Sequence, residues 1–219
     1  MKNTVKIICS YSFIALLIFA GKTSTAQEIE NNYQTRTSVE LSFEPIKKLK
    51  LNFIPELRFD ENLALDKYLF EGEAVYKPLK FLSLGATYRF GGNLRDNKDT
   101  EYFNRFAFNA TAKKEFNRFE SAFRLRYTND ADDEVNNEEF LRYKASLDYN
   151  IRKSKITPFV GVEAFQRLSD AELYKMRYMA GVDYKLFKKN YLGVSYKLDY
   201  YQKEYKNRHI FSVAYKIKF

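Results

Sequence analysis

The chain has 219 residues, a formal net charge of +9, and a mean hydropathy of −0.52 with 45% hydrophobic residues. No apolar run after residue 26 approaches the length of about 20 residues that a membrane-spanning helix needs, which excludes a helical membrane protein. The basic residues are scattered singly and are not grouped with Gly and aromatic residues. We therefore do not expect nucleic acid as a partner.

Residues 1–26 have the pattern of a cleaved secretory signal peptide, with an uncleaved anchor as the alternative. They combine a basic start, an apolar stretch at 14–20 and small residues at 24–26 before Gln27. Cleavage would remove the only cysteine and three lysines. The positive count would then fall from 37 to 34 against 28 acids, and the net charge from +9 to about +6. We expect a signal peptide at 1–26 and one domain at 27–219.

Apolar and polar residues alternate along the rest of the chain in segments of about ten residues, the length of a tilted strand that crosses a bilayer. Short basic connections alternate with longer polar ones, which is typical of outer-membrane barrels with their short turns in the periplasm. We predict an all-β fold, a single antiparallel transmembrane β-barrel of 10–12 strands. Eleven strands are readable: 38–43, 49–59, 68–76, 82–90, 105–111, 119–127, 141–149, 160–165, 174–186, 192–200 and 209–219.

The exact number of strands depends on the segment before Arg36. Bacterial single-chain barrels have even strand numbers, and eleven strands would not satisfy that rule. Either a short strand within 27–35 raises the number to twelve, or the first strand lies outside the wall and the number is ten. Twelve is the favoured number, although residues 27–33 are polar and short for a strand.

The last strand favours a bacterial outer membrane as the location. Tyr215, Ile217 and Phe219 lie on its apolar face, and this aromatic end resembles the signal by which such barrels are recognised for assembly. Aromatic residues make up 17% of the chain, and many lie near strand ends, where a membrane barrel has its aromatic girdles. The expected partners are outer-membrane lipid, lipopolysaccharide and the barrel-assembly machinery. A soluble sandwich with its apolar faces inward is the alternative.

Two internal segments and the last strand resemble a known family. The segments are 56–62, ELRFDEN, and 76–90, YKPLKFLSLGATYRF. With them the chain resembles the uncharacterised bacterial outer-membrane β-barrels grouped as domain of unknown function 2490. The resemblance implies the location and the fold, and it supplies no catalytic residues.

Charged residues on the polar strand faces are the candidate lining of the barrel interior. Arg side chains can pair there with carboxylates from neighbouring strands. A salt-bridged plug that stabilises the wall is favoured over the alternatives, which are a narrow, porin-like and somewhat anion-favouring passage for small polar solutes or a polar ligand cleft. The candidates are Arg58, Glu71, Glu73, Arg89, Arg105, Glu120, Arg124, Arg126, Arg142, Glu163, Arg177 and Asp183.

Two further features support weaker alternatives. His209 is the only histidine, and a lipid-modifying enzyme of the outer leaflet would use it as a base, although the nearby Ser212 falls on the opposite strand face. The acidic loop 129–138 would suit a surface adhesin or bound Ca²⁺, but it lacks the EF-hand pattern. We expect a non-enzymatic protein without a cofactor or a metal site.

Overall fold

The computed structural model describes residues 29–95, 98–130, 138–203 and 206–219; the predicted signal peptide lies outside these ranges. The described residues form strands without any helix, and so contain no helix that could cross a membrane. The strands are β1 (Glu30–Ile46), β2 (Leu49–Phe59), β3 (Leu65–Leu79), β4 (Leu82–Arg95), β5 (Lys98–Phe116), β6 (Phe119–Thr128), β7 (Phe140–Tyr149), β8 (Ile156–Arg167), β9 (Leu173–Phe187), β10 (Asn190–Tyr201) and β11 (Lys206–Lys218).

The eleven strands close into one barrel, which confirms the predicted all-β class and the eleven readable strands. Every neighbouring pair is antiparallel except β1 and β11, which run parallel from Glu30 opposite Lys206 to Ser42 opposite Lys218. The favoured number of twelve is wrong for the described part of the chain. Residues 30–35 extend β1 instead of forming a separate strand, and the parallel closure removes the need for an even number.

The two ends of the barrel differ in their connections. One end, called here the short-turn end, carries the tight β1–β2, β3–β4, β5–β6 and β9–β10 turns, the β7–β8 connection and Phe219. Lys48, Asn117 and Lys189 have positive φ angles of 76°, 54° and 67°, the left-handed conformation that lets the chain reverse within two residues. The opposite, long-loop end carries the remaining connections and the start of β1.

The connection between β4 and β5 is mostly strand. Its Gly-Gly-Asn stretch at 91–93 has a composition typical of a loop, but β4 continues to Arg95 and β5 starts at Lys98. Ladder pairing continues through Asn93 and Glu101.

In the 168–172 connection, the backbone N–H of Glu172 donates to the Asp170 carboxylate at 3.0 Å, which lowers the pKa of Asp170.

The wall is apolar on the outside and polar on the inside. Large hydrophobic side chains of every strand except β7 are exposed on the outer surface, for example Phe108, Val160 and Phe211, each at least half exposed. Their sequence neighbours point to the axis, because successive side chains of a strand alternate between its two faces. Buried charged residues such as Arg105 and Glu163 lie on that inner face. The fold is therefore inverted relative to a water-soluble sandwich, whose apolar side chains face inward.

Candidate functional site

A ring of charged side chains lines the middle of the barrel interior. We call it the ionic belt and define it by eleven cations and four carboxylates. Members on neighbouring and facing strands interact electrostatically, as Arg36 does with Arg58, Glu56, Arg177 and Asp199. The belt consists of Arg36, Glu56, Arg58, Glu71, Arg89, Arg105, Arg124, Arg126, Arg142, Lys144, Glu163, Lys175, Arg177, Lys197 and Asp199.

Each belt carboxylate is held by at least one nearby cation. Glu56 Oε1 accepts from Arg58 Nε at 2.6 Å, and Glu71 Oε2 lies 2.7 Å from Arg89 Nη2. Charge-assisted bonds of this length are among the strongest hydrogen bonds in proteins, and they offset part of the cost of burying the charges. The first pair lies within β2 and the second joins β3 to β4; an electrostatic interaction between Arg89 and Glu56 connects the two pairs into the first arc.

Glu163 is the centre of the second arc. Arg142 donates to both of its oxygens, with Nε to Oε1 at 3.1 Å and Nη2 to Oε2 at 3.0 Å. Arg124 Nη2 adds a third bond to Oε1 at 2.9 Å. The Glu163 side chain is only 2% exposed, so these bonds stand in for the water that it has lost.

Asp199 is the centre of the third arc and is completely buried. Arg177 Nη2 donates to its Oδ2 at 2.6 Å, and Lys175 Nζ lies 3.2 Å from the same oxygen. The Lys175 ammonium also lies 4.7 Å from the ring centroid of Phe165 and 4.8 Å from that of Tyr201. Two aromatic faces and a carboxylate therefore replace the hydration shell of a fully buried ammonium group.

Apolar side chains close the interior on the long-loop side of the belt. We call them the apolar cap; each faces inward and is at most 4% exposed. Phe165 packs with Phe140 and lies under the Arg142 guanidinium, whose Cζ is 4.2 Å from its ring centroid. The cap consists of Leu69, Phe103, Phe140, Phe165, Tyr201 and Ile210.

The short-turn half of the interior is less tightly filled than the other half. Arg124, Glu120 and Asp183 face inward there, and their side chains are 25%, 31% and 33% exposed. Inward-facing glycines such as Gly85 and Gly193 occupy this half and leave room for neighbouring polar side chains. A cleft of about 240 Å³ opens at the rim, with Glu120 and Asp148 among its lining residues.

The structure places all twelve predicted lumen residues on the inner face. Six of them are buried: Arg58, Glu71, Arg105, Arg126, Arg142 and Glu163. Glu73, Glu120 and Asp183 lie on the inner face but outside the belt. Glu73 accepts from Asn52 at 2.7 Å, Glu120 from Lys113 at 2.6 Å and Asp183 from Lys216 at 2.9 Å.

Sequence reasoning missed two groups of interior residues. Glu56, Lys144, Lys175, Lys197 and Asp199 were on predicted polar faces, but alternation alone does not show which polar residues lose water. Arg36 belongs to the strand that the sequence predicted least well. The only available clue was the two-residue spacing of Lys175 from Arg177 and of Lys197 from Asp199.

His209 lies on the outer face near the long-loop end. Its Nδ1 is 2.7 Å from Tyr196 Oη, its Nε2 is 3.1 Å from Asn31 Oδ1, and its ring stacks on Tyr33 at 4.9 Å. Ser212 belongs to the inner face of the same strand, as the sequence predicted. Both ring nitrogens thus have partners, an arrangement that suits an aromatic girdle. Most of the acidic loop, residues 131–137, lies outside the described residues.

The predicted assembly signal is at the short-turn end. The Phe219 ring stacks on Phe43 with centroids 4.5 Å apart, and its N–H donates to the carbonyl of Ser42. Tyr215 Oη donates to Asn190 at 2.9 Å. These contacts fasten the end of the chain to β1 and β10, so the last strand completes the barrel seam.

Comparison with known proteins identifies a family but no characterised relative. A family model described as "Protein of unknown function (DUF2490)" matches residues 32–210. No curated protein matches the chain. The matched residues cover nearly the whole barrel wall, including most of the closing strand β1 but only the first five residues of its partner β11.

Proposed function

We propose, from the premise that the chain belongs to the DUF2490 family of proteins of unknown function, that it is a non-enzymatic outer-membrane β-barrel with a blocked interior. Its partners would be outer-membrane lipid, lipopolysaccharide and the assembly machinery. The short turns would face the periplasm, and the long loops the cell exterior.

The outer surface of the barrel supports the membrane location. Tyr33, Phe70, Phe106, Val160 and Phe211 are all more than 40% exposed, and they form part of an apolar surface that surrounds the wall. Soluble monomers rarely expose contiguous apolar patches larger than a few hundred Å². Hydrocarbon is the solvent in which such a surface is stable, provided that every backbone edge is paired, as it is in a closed barrel.

The observation that carries the blocked interior is the complete burial of inward-facing side chains. Phe165, Lys175, Asp199 and Ile210 point toward the barrel axis and are each 0% exposed. Water in a continuous channel would contact such side chains, so the interior is filled at their level. This supports a salt-bridged structural barrel over a narrow pore for small polar solutes.

Planar-bilayer recording tests this function. The purified protein should insert without producing conductance steps above the lipid baseline, because the apolar cap and the ionic belt leave no water path. Reproducible, anion-selective steps that shrink in an Arg124→Gln/Arg126→Gln double variant would contradict the proposal and identify a narrow pore.

A further inference from the structure

We propose that the inner wall formed by β4, β5 and β6 holds a binding site for a small oxyanion of the phosphate type. This site goes beyond the proposed function, because it requires only the barrel interior and not its blockage or its membrane. The observations that support it are an excess of positive charge on one wall and a group of buried donors without acceptors in the described part of the chain.

The positive excess is concentrated on two adjacent strands. Arg126 lies directly opposite Arg142, and Arg124 directly opposite Lys144, in the β6–β7 ladder. Like charges in directly opposed positions destabilise a sheet. One nearby carboxylate, Glu163, is bonded by Arg142 and Arg124 and therefore cannot neutralise all four cations.

Arg126 is the member of this group that forms no salt bridge with a carboxylate of the described residues. Its side chain is 9% exposed, and its Nε is buried without a hydrogen-bond partner among the described residues. Its electrostatic neighbours are the cations Arg142, Arg124 and Arg105, with Glu71 the weakest contributor. A buried guanidinium nitrogen without an acceptor is costly, and an anion with several oxygens supplies both negative charge and acceptors.

Two more unpaired polar groups lie on the same wall. Asn109 is directly opposite Arg126 in the β5–β6 ladder, and its Nδ2 is buried without a hydrogen-bond partner in the described chain. Thr87, on β4, is 6% exposed and its Oγ1 likewise has no partner there. Gly85 leaves the space in which the Asn109 amide lies, since a Cβ at Gly85 would come within 2.7 Å of it.

The chemistry of these groups selects an oxyanion. A guanidinium fork, an amide N–H and a hydroxyl are hydrogen-bond donors to oxygen, and Arg in particular matches the geometry of phosphate. Walls of low dielectric strengthen the attraction for an anion inside the barrel. Arg124 remains 25% exposed, which shows that water-sized groups reach this wall in the less tightly filled half.

Isothermal titration calorimetry with inorganic phosphate tests the site on the full barrel refolded in uncharged detergent. At constant ionic strength in a chloride background, we expect saturable binding that weakens at least tenfold in Arg126→Gln and several-fold in Asn109→Ala. Arg152→Gln removes an exposed turn arginine and should leave binding unchanged. The absence of saturable heat, or equal affinity in Arg126→Gln, would overturn the site.

Unfolding in urea with and without phosphate separates binding from a purely structural role of Arg126. Phosphate should raise the unfolding midpoint of the wild type and leave that of Arg126→Gln unchanged. Should Arg126→Gln fail to refold, Asn109→Ala provides the same comparison with all charges intact. If phosphate leaves the unfolding midpoint of the wild type unchanged as well, the proposal is overturned.

Discussion

Glu163 is the carboxylate on which two arginines of the ionic belt converge. Three hydrogen bonds from Arg142 and Arg124 reach its two oxygens, and all three residues face the interior. Removing one partner of a buried ion pair lowers the stability of the fold more than replacing both partners by apolar residues, because the remaining charges stay buried without compensation. The stability of this part of the barrel therefore depends on a single residue.

We expect Glu163→Gln to lower the free energy of unfolding by about 3–5 kcal/mol, the range for breaking a buried pair. Urea unfolding of the refolded barrel in micelles measures the change. Glu172→Gln is the matched control, because Glu172 pairs with Lys203 at the exposed long-loop end, where such a pair contributes at most about 1 kcal/mol. Equal losses in the two variants would contradict the special role of Glu163.

Gly91 provides the space for one ring of the apolar cap. A Cβ added to Gly91 would lie 2.5 Å from Cζ of Phe103 and 2.8 Å from the carbonyl oxygen of Tyr68. Neither contact is possible without movement, and the second involves backbone. The glycine is therefore required by the close approach of an aromatic ring to the sheet.

Gly91→Ala should destabilise the barrel by about 1–3 kcal/mol, the usual cost of overpacking a filled interior. Gly72→Ala is the control, since a Cβ at Gly72 meets nothing within 4 Å. The difference between their urea midpoints measures the effect. A neutral Gly91→Ala would show that Phe103 can leave the cap without cost.

The strands differ in how well the sequence predicts them. Apolar and charged residues alternate strictly at 123–127 in β6 and at 141–145 in β7, so the bounds and inner faces of these strands could be predicted within one or two residues. β1 could not, because residues 30–34 are polar apart from Tyr33 and, among the described strands, pair with β11 alone. Pairing with a strand that is distant in the sequence does not require apolar and polar residues to alternate in the segment itself. No periodic pattern therefore predicts that strand.

The parallel seam can be tested by a disulfide bond. Thr37 and Val213 are opposite each other across β1 and β11 and face outward, so cysteines at both positions should oxidise to a crosslink. Ser38→Cys combined with Val213→Cys places the thiols on opposite faces and should stay reduced. Mobility on a non-reducing gel distinguishes the two. A crosslink only in the control, or in neither variant, would rule out this closure.

The interior was predicted in outline but not in detail. All twelve candidate residues lie on the inner face because alternation fixes the face of each side chain. Alternation does not reveal depth, so the complete burial of Lys175 and Asp199 could not be predicted. Nor did it show that Phe165, on a predicted polar face, would pack among cations, since that contact depends on three strands at once.

The whole molecule combines an apolar exterior with a charged interior, and a bilayer around it would make the cost of an added charge depend on depth. Val194 and Tyr200 lie on the outer face of the same strand, the first near its middle and the second near the long-loop end. In a membrane, Val194→Arg should cost about 2–4 kcal/mol and Tyr200→Arg about 0–1 kcal/mol.

Unfolding in lipid vesicles measures both of these variants under the same conditions. Water around the barrel would remove the dependence on depth, because an exposed arginine is equally well hydrated at either position. Equal stabilities of Val194→Arg and Tyr200→Arg would therefore contradict the membrane location, whereas a gap of about 2 kcal/mol or more would place hydrocarbon against the middle of β10.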